Sequence, residues 1–407
     1  MLPGDQNNLL CRTDPGSPAG ELMRRYWQPV GTSSEVTPGG KPHQVRVMGE
    51  DLVLFRDDQG RPGLVGLHCS HRLTSLAYGR VEDGGIRCPF HGWLYDVEGH
   101  CLAQPAEPEG SSFKDRVRHP AYPCEELGGL IFAYMGPADK RPLLPRYEVL
   151  VRQDGTHAAN HYVLNSNYLQ NLEGALDTAH FCYLHMNNWS KVKLEQAKLP
   201  KPKIELETTD YGLWNKTQTW KVNGSSPTYA HFFMPVGFFR IEAGRAGAEA
   251  YGLRQSTGHL KKYQSWYVPI DDTHTRRFVA GFAPNLPDGQ QYEWPLDEDY
   301  DQPGPENDYF RDYEHVDTIS GIPTNAPGLR IKGLMAQDNM VNESQGPIED
   351  RTREHLGAHD QLITIVRHML LNGIGDVQGG RDPKHIIRDV AQNTMVYVAG
   401  EEELERA

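Results

Sequence analysis

The sequence predicts an α+β protein in two parts, an all-β domain followed by a larger α+β domain. Three observations predict it. Short apolar runs split by Gly and Asp turns fill residues 44–135, the pattern of strands and hairpins. A segment rich in Pro and charge, "GPADKRPLLP" at 136–145, then marks a boundary. Beyond it, strand-like runs are followed by helices rather than alternating with them as a parallel α/β sheet would require.

Residues 1–40 hold one plausible helix, "SPAGELMRRYWQP", and are expected to form a helical segment packed on the C-terminal domain. Ser17 can cap that helix, Pro18 suits its first position and Pro29 limits its end. The β-rich domain is expected over 41–140. Its first part, "QVRVMGEDLVLFRDDQGRPGLVGLHC", reads as a hairpin and a third strand, with "MGED" and "DDQGRPG" as turns, and "GWLYDVEGHCL" and "LGGLIFAYMG" continue it. Residues 141–407 form the α+β domain. Its helix "NSNYLQNLEGALDTAHFCYLH" precedes strand-like runs from about 203 to 284, an acidic Pro-rich loop, and a second helix predicted over 351–371.

Composition limits the function. With 41 Lys plus Arg against 54 Asp plus Glu, the formal charge is −13, which argues against a broad nucleic-acid surface. The longest apolar candidate, "LIFAYM" at 130–135, is far too short to span a bilayer, and the first residues lack a basic stretch followed by an apolar run. No membrane association and a cytoplasmic location are the expectations. Six cysteines, at 11, 69, 88, 101, 124 and 182, are too sparse and irregular for a disulfide framework.

Four side chains stand apart. Cys69 and His71 lie one residue apart, and after sixteen more residues Cys88 and His91 lie two apart. Each pair follows a predicted strand, where a loop can aim both side chains at one centre. Zinc is the competing metal, but common zinc fingers group cysteine with cysteine and histidine with histidine. One of each per loop suits a two-iron cluster with both thiolates on one iron and both imidazoles on the other. The loops "CSHRLT" and "CPFHGW" resemble the Rieske [2Fe–2S] motif. Respiratory Rieske proteins add a cysteine to each loop to form a disulfide, and Thr74 and Phe90 provide no such pair. Ser70 stands where the oxygenase form more often has proline.

A second group lies in "EGALDTAHFCYLH". On a helix Glu173, Asp177, His180 and Leu184 share a face, whereas His185 sits roughly 140° from His180. Both imidazoles can meet one metal only if the helix bends, frays or bulges there. The pattern D-x-x-H-x-x-x-x-H, preceded by "NYLQNLEGALD", resembles the catalytic domain of Rieske mononuclear-iron oxygenases of the phthalate dioxygenase-like branch. The resemblance implies a helix-grip-like antiparallel sheet with helices, and makes His180 and His185 ligands of a non-haem iron. A facial triad then needs a carboxylate. Asp338, Glu343, Glu349, Asp350, Glu354 and Asp360 are the downstream candidates. If 351–371 is one helix, Asp360 falls in a stripe with Leu356, Ile363 and Leu370, where an acid is costly unless paired or metal-bound. Asp360 is therefore the expected third ligand and Asp338 the second candidate.

By the same resemblance Asp177 connects His91 of one subunit to His180 of the next, which implies a homotrimer or hexamer. The resemblance further implies a terminal oxygenase fed by a separate NAD(P)H-dependent reductase, with or without a ferredoxin. Such an enzyme uses O₂ to hydroxylate or dihydroxylate an aromatic substrate, or to remove an O- or N-alkyl group. A Rieske electron carrier or sensor without oxygenase chemistry is the alternative from another class. Aromatic acids need cationic partners, for which Arg240, Arg245, Arg254, Arg276 and Arg277 are candidates, with His231 in "TYAHFFMP" and an apolar lining from Phe232, Phe233, Phe238 and Phe239.

Overall fold

The computed structural model describes residues 1–177, 179, 180, 184, 203–221, 224–242, 262–285, 304–310 and 334–397. For 203, 216–221, 224–230, 238–242, 262, 310 and 334–335 only the backbone is described. The chain starts with α1 (Gly4–Cys11) and α2 (Pro18–Met23). Ser17 caps α2, its hydroxyl accepting the Gly20 N–H at 3.3 Å. The helix ends earlier than predicted, and the chain passes into β1 (Trp27–Thr32), which carries Pro29 beside a bulge. Proline is tolerated at such a bulge. Helix α1 packs at the start of α4: Leu10 C=O accepts from Tyr168 Oη at 2.7 Å and Cys11 C=O from Asn167 Nδ2 at 2.9 Å.

The next strands are β2 (His43–Val47), β3 (Glu50–Arg56), β4 (Pro62–Gly66), β5 (Arg80–Glu82), β6 (Gly85–Arg87), β7 (Leu94–Asp96), β8 (Cys101–Ala103), β9 (Ala121–Tyr122), β10 (Cys124–Leu127) and β11 (Leu130–Tyr134). They form sheets ordered β2-β3-β4-β9 and β5-β6-β7-β8, while β1 joins β11 and β10 in a third. The predicted "MGED" hairpin is present: Val47 pairs with Glu50 across Met48 and Gly49, both at positive φ (48° and 80°). Two positive φ values give the twist a two-residue hairpin favours. Glycine is also needed at 49 because a Cβ there would lie 2.2 Å from Asp14 Oδ1. Val53, Phe55, Val65, Leu76, Ile86, Trp93 and Tyr95 form the buried core of this domain, together with Cys69 and Cys88.

After α3 (Glu148–Val151) come β12 (Gly155–Leu164), α4 (Tyr168–Leu176), β13 (Lys203–Thr208), β14 (Gly212–Lys221), β15 (Gly224–Phe233), β16 (Gly237–Glu242), β17 (Lys262–Asp271), β18 (His274–Pro284), α5 (Leu334–Glu343) and α6 (Gln361–Gln378). The strands make one antiparallel sheet ordered β12-β18-β17-β16-β15-β14-β13. One face of it meets α4, where Thr275 bonds Asn171 at 3.2 Å and the Ser166 carbonyl at 2.7 Å. The other face meets the β-rich domain, with Trp266 against Phe132 at 5.7 Å and His161 bonded to Glu35 at 2.8 Å. Tyr168, Leu169, Leu172 and Leu176 of α4 are almost fully buried, and each apolar side chain removed from water contributes about 1.5–3 kcal/mol.

Both predicted helices are shorter at the ends that matter. The α4 helix stops at Leu176, because Asp177 is extended (ψ 126°) and its carboxylate accepts the Ala179 N–H at 2.7 Å. That local bond competes with continuation of the helix. The late helix begins at Gln361 rather than 351. Fully buried Arg351 is drawn instead to Glu173 (2.7 Å), and Gly357 is extended (ψ −176°). Glu173 also pairs with Arg367 at 2.6 Å, and Arg367 reaches Glu354 at 2.9 Å. Among the described residues no helix is long and apolar enough to cross a membrane.

Candidate redox and metal centres

Two loops with the same backbone design present the Cys and His pairs. Each cysteine donates its N–H five residues on, Cys69 to Thr74 O (2.9 Å) and Cys88 to Trp93 O (2.8 Å). Each cysteine carbonyl accepts from the fourth residue on, Leu73 N (2.9 Å) and Gly92 N (3.1 Å). Those two residues have positive φ, 60° and 73°. At Leu73 the conformation is strained by roughly 1–3 kcal/mol, which the rest of the loop must hold in place.

The donors divide by depth. Cys69 and Cys88 are 1% and 3% exposed, whereas His71 is exposed and His91 half-buried. The imidazoles face each other with centroids 4.6 Å apart, and Trp93 stacks on His71 at 4.5 Å. Burial, with the neighbouring Cys69 sulfur, raises the Cys88 thiol above its ordinary range. Among the described residues no three such donors close on one ion-sized point. Here the sulfurs neighbour each other and the rings neighbour each other, so the four side chains form two pairs, as a two-iron cluster needs. All described cysteines are free thiols.

The second centre is built where α4 ends. The turn at Asp177 aims His180 between two carboxylates, with Nδ1 3.7 Å from Asp177 Oδ2 and Nε2 3.6 Å from Asp338 Oδ1. Both distances exceed a good hydrogen bond. The 3.6 Å gap to Asp338 is less than twice the ~2.1 Å bond a first-row metal makes to N or O donors, so a nitrogen and an oxygen here fit one ion. Burial works against the Asp177 charge, but His180 and two backbone N–H groups hold its carboxyl below the usual range. Gln170 ties α4 to the end of α5, donating to the carbonyls of Asn342 and Gly346, each at 2.8 Å. That clamp sets Asp338 against His180.

Asp360, the expected third ligand, is placed differently. It lies in the 3₁₀ turn before α6, where its carboxylate accepts the Gly357 N–H at 2.6 Å and lies 3.2 Å from His359 Nε2. The helical stripe that singled it out does not exist, since Leu356 and Asp360 precede the helix. The carboxylate facing Nε2 of His180 is Asp338. His185, Arg245 and Arg254 lie outside the described residues, and Arg240 and Phe238–Phe239 are described by backbone alone.

His231 points away from α4. It packs against Trp214 (3.5 Å) and Phe233 (5.6 Å) on the opposite face of the sheet. Arg276 faces that side too, within the field of Glu35, and burial lowers its pKa. Arg277, the next residue, faces α4. Tyr162 and Tyr267 oppose it on the flanking strands, their rings 5.5 and 5.3 Å from its guanidinium, and Ser265 Oγ accepts at 3.1 Å. Burial disfavours the Arg277 charge, yet the two tyrosines and Asp338 favour it and raise its pKa. Tyr162, Ser265 and Tyr267 carry no local sequence signal; only strand register brings them to Arg277.

Comparison with known proteins identifies the family. The Rieske [2Fe-2S] domain family matches residues 26–122, a span that takes in β1. The 5,5'-dehydrodivanillate O-demethylase oxygenase subunit of Sphingobium sp. (strain NBRC 103272 / SYK-6) is 36% identical, covering 97% of this chain and 86% of that one. The phthalate 4,5-dioxygenase oxygenase subunit of Pseudomonas putida is 34% identical over 93% of this chain and 88% of its own. Among solved structures, Pseudomonas putida CBB5 NdmA with caffeine shares the fold at 19% identity, with a TM-score of 0.65, 89% of this chain and 94% of that chain covered. The chain therefore belongs to the Rieske non-haem iron oxygenases, as the oxygenase subunit of a multicomponent system in the phthalate dioxygenase-like branch.

Proposed function

We propose that this subunit hydroxylates or dihydroxylates an aromatic carboxylate at a mononuclear iron held by His180, His185 and Asp338. The observation that carries the reading is the placement of His180 between Asp177 and Asp338. When bound, the iron supplies dioxygen activation, with electrons delivered through the Rieske cluster. Asp338 supplies the anionic donor of the triad in place of Asp360. Asp177 faces Nδ1 of His180, where a carboxylate fixes the tautomer that leaves Nε2 to the metal. By family resemblance Asp177 also reaches His91 of a neighbouring subunit, which makes a homotrimer or hexamer the active form. Electrons come from a separate NAD(P)H-dependent reductase, directly or through a ferredoxin.

Arg277 is the group we assign to the substrate carboxylate, replacing His231. It is a half-buried cation on the sheet face that carries α4, close enough to Asp338 for their charges to interact. Fully buried Phe232 lies on the same face, three strands away, and offers apolar contact to a ring.

O-demethylation is the second reading, favoured by the 36% identity to an O-demethylase subunit. One experiment tests both. The purified trimer or hexamer, with a surrogate reductase and NADH, is given phthalate, 3-methoxybenzoate and other benzoates while O₂ uptake and product mass are followed. A phenol or diol that keeps every carbon supports hydroxylation, and formaldehyde supports demethylation. Reduction of the cluster without substrate-dependent O₂ uptake on any aromatic acid overturns the substrate class.

A further inference from the structure

Ser70 occupies the position between the first cysteine and histidine ligands, and its hydroxyl lies 2.8 Å from Nδ1 of His119. Nε2 of the same imidazole lies 2.9 Å from the carbonyl of Gly66. A carbonyl only accepts, so Nε2 carries a proton; in the neutral ring Nδ1 then accepts and Ser70 donates. His119 is 1% exposed. Its own N–H is held by Gly99 O at 2.8 Å, so the ring is fixed by backbone at one end and by both nitrogens at the other.

The flat of that ring has a second use. Tyr95, fully buried on β7, stacks on it with centroids 4.4 Å apart and planes 26° from parallel. The Tyr95 hydroxyl in turn lies 3.2 Å from Sγ of Cys69. One imidazole thus backs the Cys69 ligand from two directions, through the residue that follows it in the chain and through the phenol that reaches its sulfur. A phenylalanine could fill the space without two polar atoms to satisfy. The histidine is explained by what it positions.

We propose that His119 is a positioning residue for the Rieske cluster: it orients Tyr95 toward Cys69 Sγ, with Ser70 fixing its ring, and so helps set the reduction potential. A hydrogen bond to a cluster sulfur is one of the levers on that potential, because it stabilises the more negative reduced state. Loss of the bond lowers the potential. His119 bonds to Ser70 and Gly66 rather than to a cluster donor, so its effect on the potential passes through Tyr95.

The test is a redox titration of the intact oxygenase, followed by visible circular dichroism and by EPR of the reduced cluster. The variants are Tyr95→Phe, His119→Ala, His119→Gln, Ser70→Ala and the double variant His119→Ala with Tyr95→Phe. Tyr95→Phe should lower the midpoint potential. His119→Ala should lower it by no more than Tyr95→Phe does, with a shift in the EPR g-values. His119→Gln keeps an amide donor and acceptor and should recover part of the loss, and Ser70→Ala should give a smaller fall. The decisive reading is the double variant, which should match Tyr95→Phe alone because the two residues act in series. Additive shifts overturn the proposal. So does an unchanged potential in His119→Ala, or, if that variant loses its iron, in both His119→Gln and Ser70→Ala at full cluster content.

Discussion

Nε2 of His180 and Oδ1 of Asp338 stand 3.6 Å apart, although 158 positions separate the two residues in the chain. Asp338→Ala should therefore lose mononuclear iron and substrate-dependent O₂ uptake by about 100-fold or more, since even outer contacts of a metal site cost 10–100-fold. The Rieske absorbance should stay at its wild-type value. Asp360→Ala should retain turnover and lose only the Gly357 contact at the start of α6, about 0.5–2 kcal/mol of stability. Iron analysis and an oxygen electrode separate the two. If Asp360→Ala abolishes turnover and Asp338→Ala does not, the assignment of the third ligand reverses.

The contrast between those two aspartates separates what neighbouring residues carry from what only the fold supplies. The Rieske loops were legible because each donor pair, its turn and its flanking strands lie within a few residues. Periodicity also found the strands from 203 to 284. It failed at helix ends, where one local bond (Asp177 to Ala179) or one distant ion pair (Arg351 to Glu173) outweighed propensity. It misread β1 for a similar reason, since Trp27 finds its strand partner only at Tyr134. Asp338 carries no local mark at all. Its place beside His180 depends on α5 being clamped to α4 by Gln170, a purely tertiary fact.

Glu173 should be among the least replaceable residues outside the centres. It is buried between two guanidiniums, Arg351 at 2.7 Å and Arg367 at 2.6 Å. Glu173→Ala leaves both cations buried without it, and breaking a buried pair in this way costs about 3–5 kcal/mol. Because Glu173 sits on α4 one turn before Asp177, the loss should reach His180. We expect a fall in thermal stability and in mononuclear iron, with the Rieske spectrum preserved in the protein that remains folded. Wild-type stability would show that the network relaxes around the gap.

Arg277 gives a prediction about charge rather than shape. For 3-methoxybenzoate, Arg277→Met should lower kcat/KM by about 30-fold or more, in the range expected when a charged group loses a largely desolvated partner. For the methyl ester of the same acid, any loss should stay within about threefold. The methionine keeps much of the volume between Tyr162 and Tyr267, so a general collapse would affect both compounds alike. Equal losses, together with reduced iron content, would instead assign Arg277 to balancing the Asp338 carboxylate.

The joint between the β-rich domain and the large sheet should be sensitive to acid. Glu35 follows β1 and receives three hydrogen bonds: His161 at 2.8 Å, Thr32 N–H at 2.6 Å and the Thr32 hydroxyl at 3.2 Å. Burial alone would raise its pKa, but His161 and Thr32 outweigh burial and bring it down to about 2. A carboxyl depressed in the folded protein contributes stability that is complete above its unfolded pKa of 4.5 and lost as pH falls toward 2. That contribution is at most on the order of 3 kcal/mol. Glu35→Gln should therefore be less stable than wild type at about pH 5, by a margin that narrows as the pH falls from there toward 2. Unfolding followed by tryptophan fluorescence across this range checks it, and a margin that grows on acidification would show that Glu35 does not hold the joint as a carboxylate.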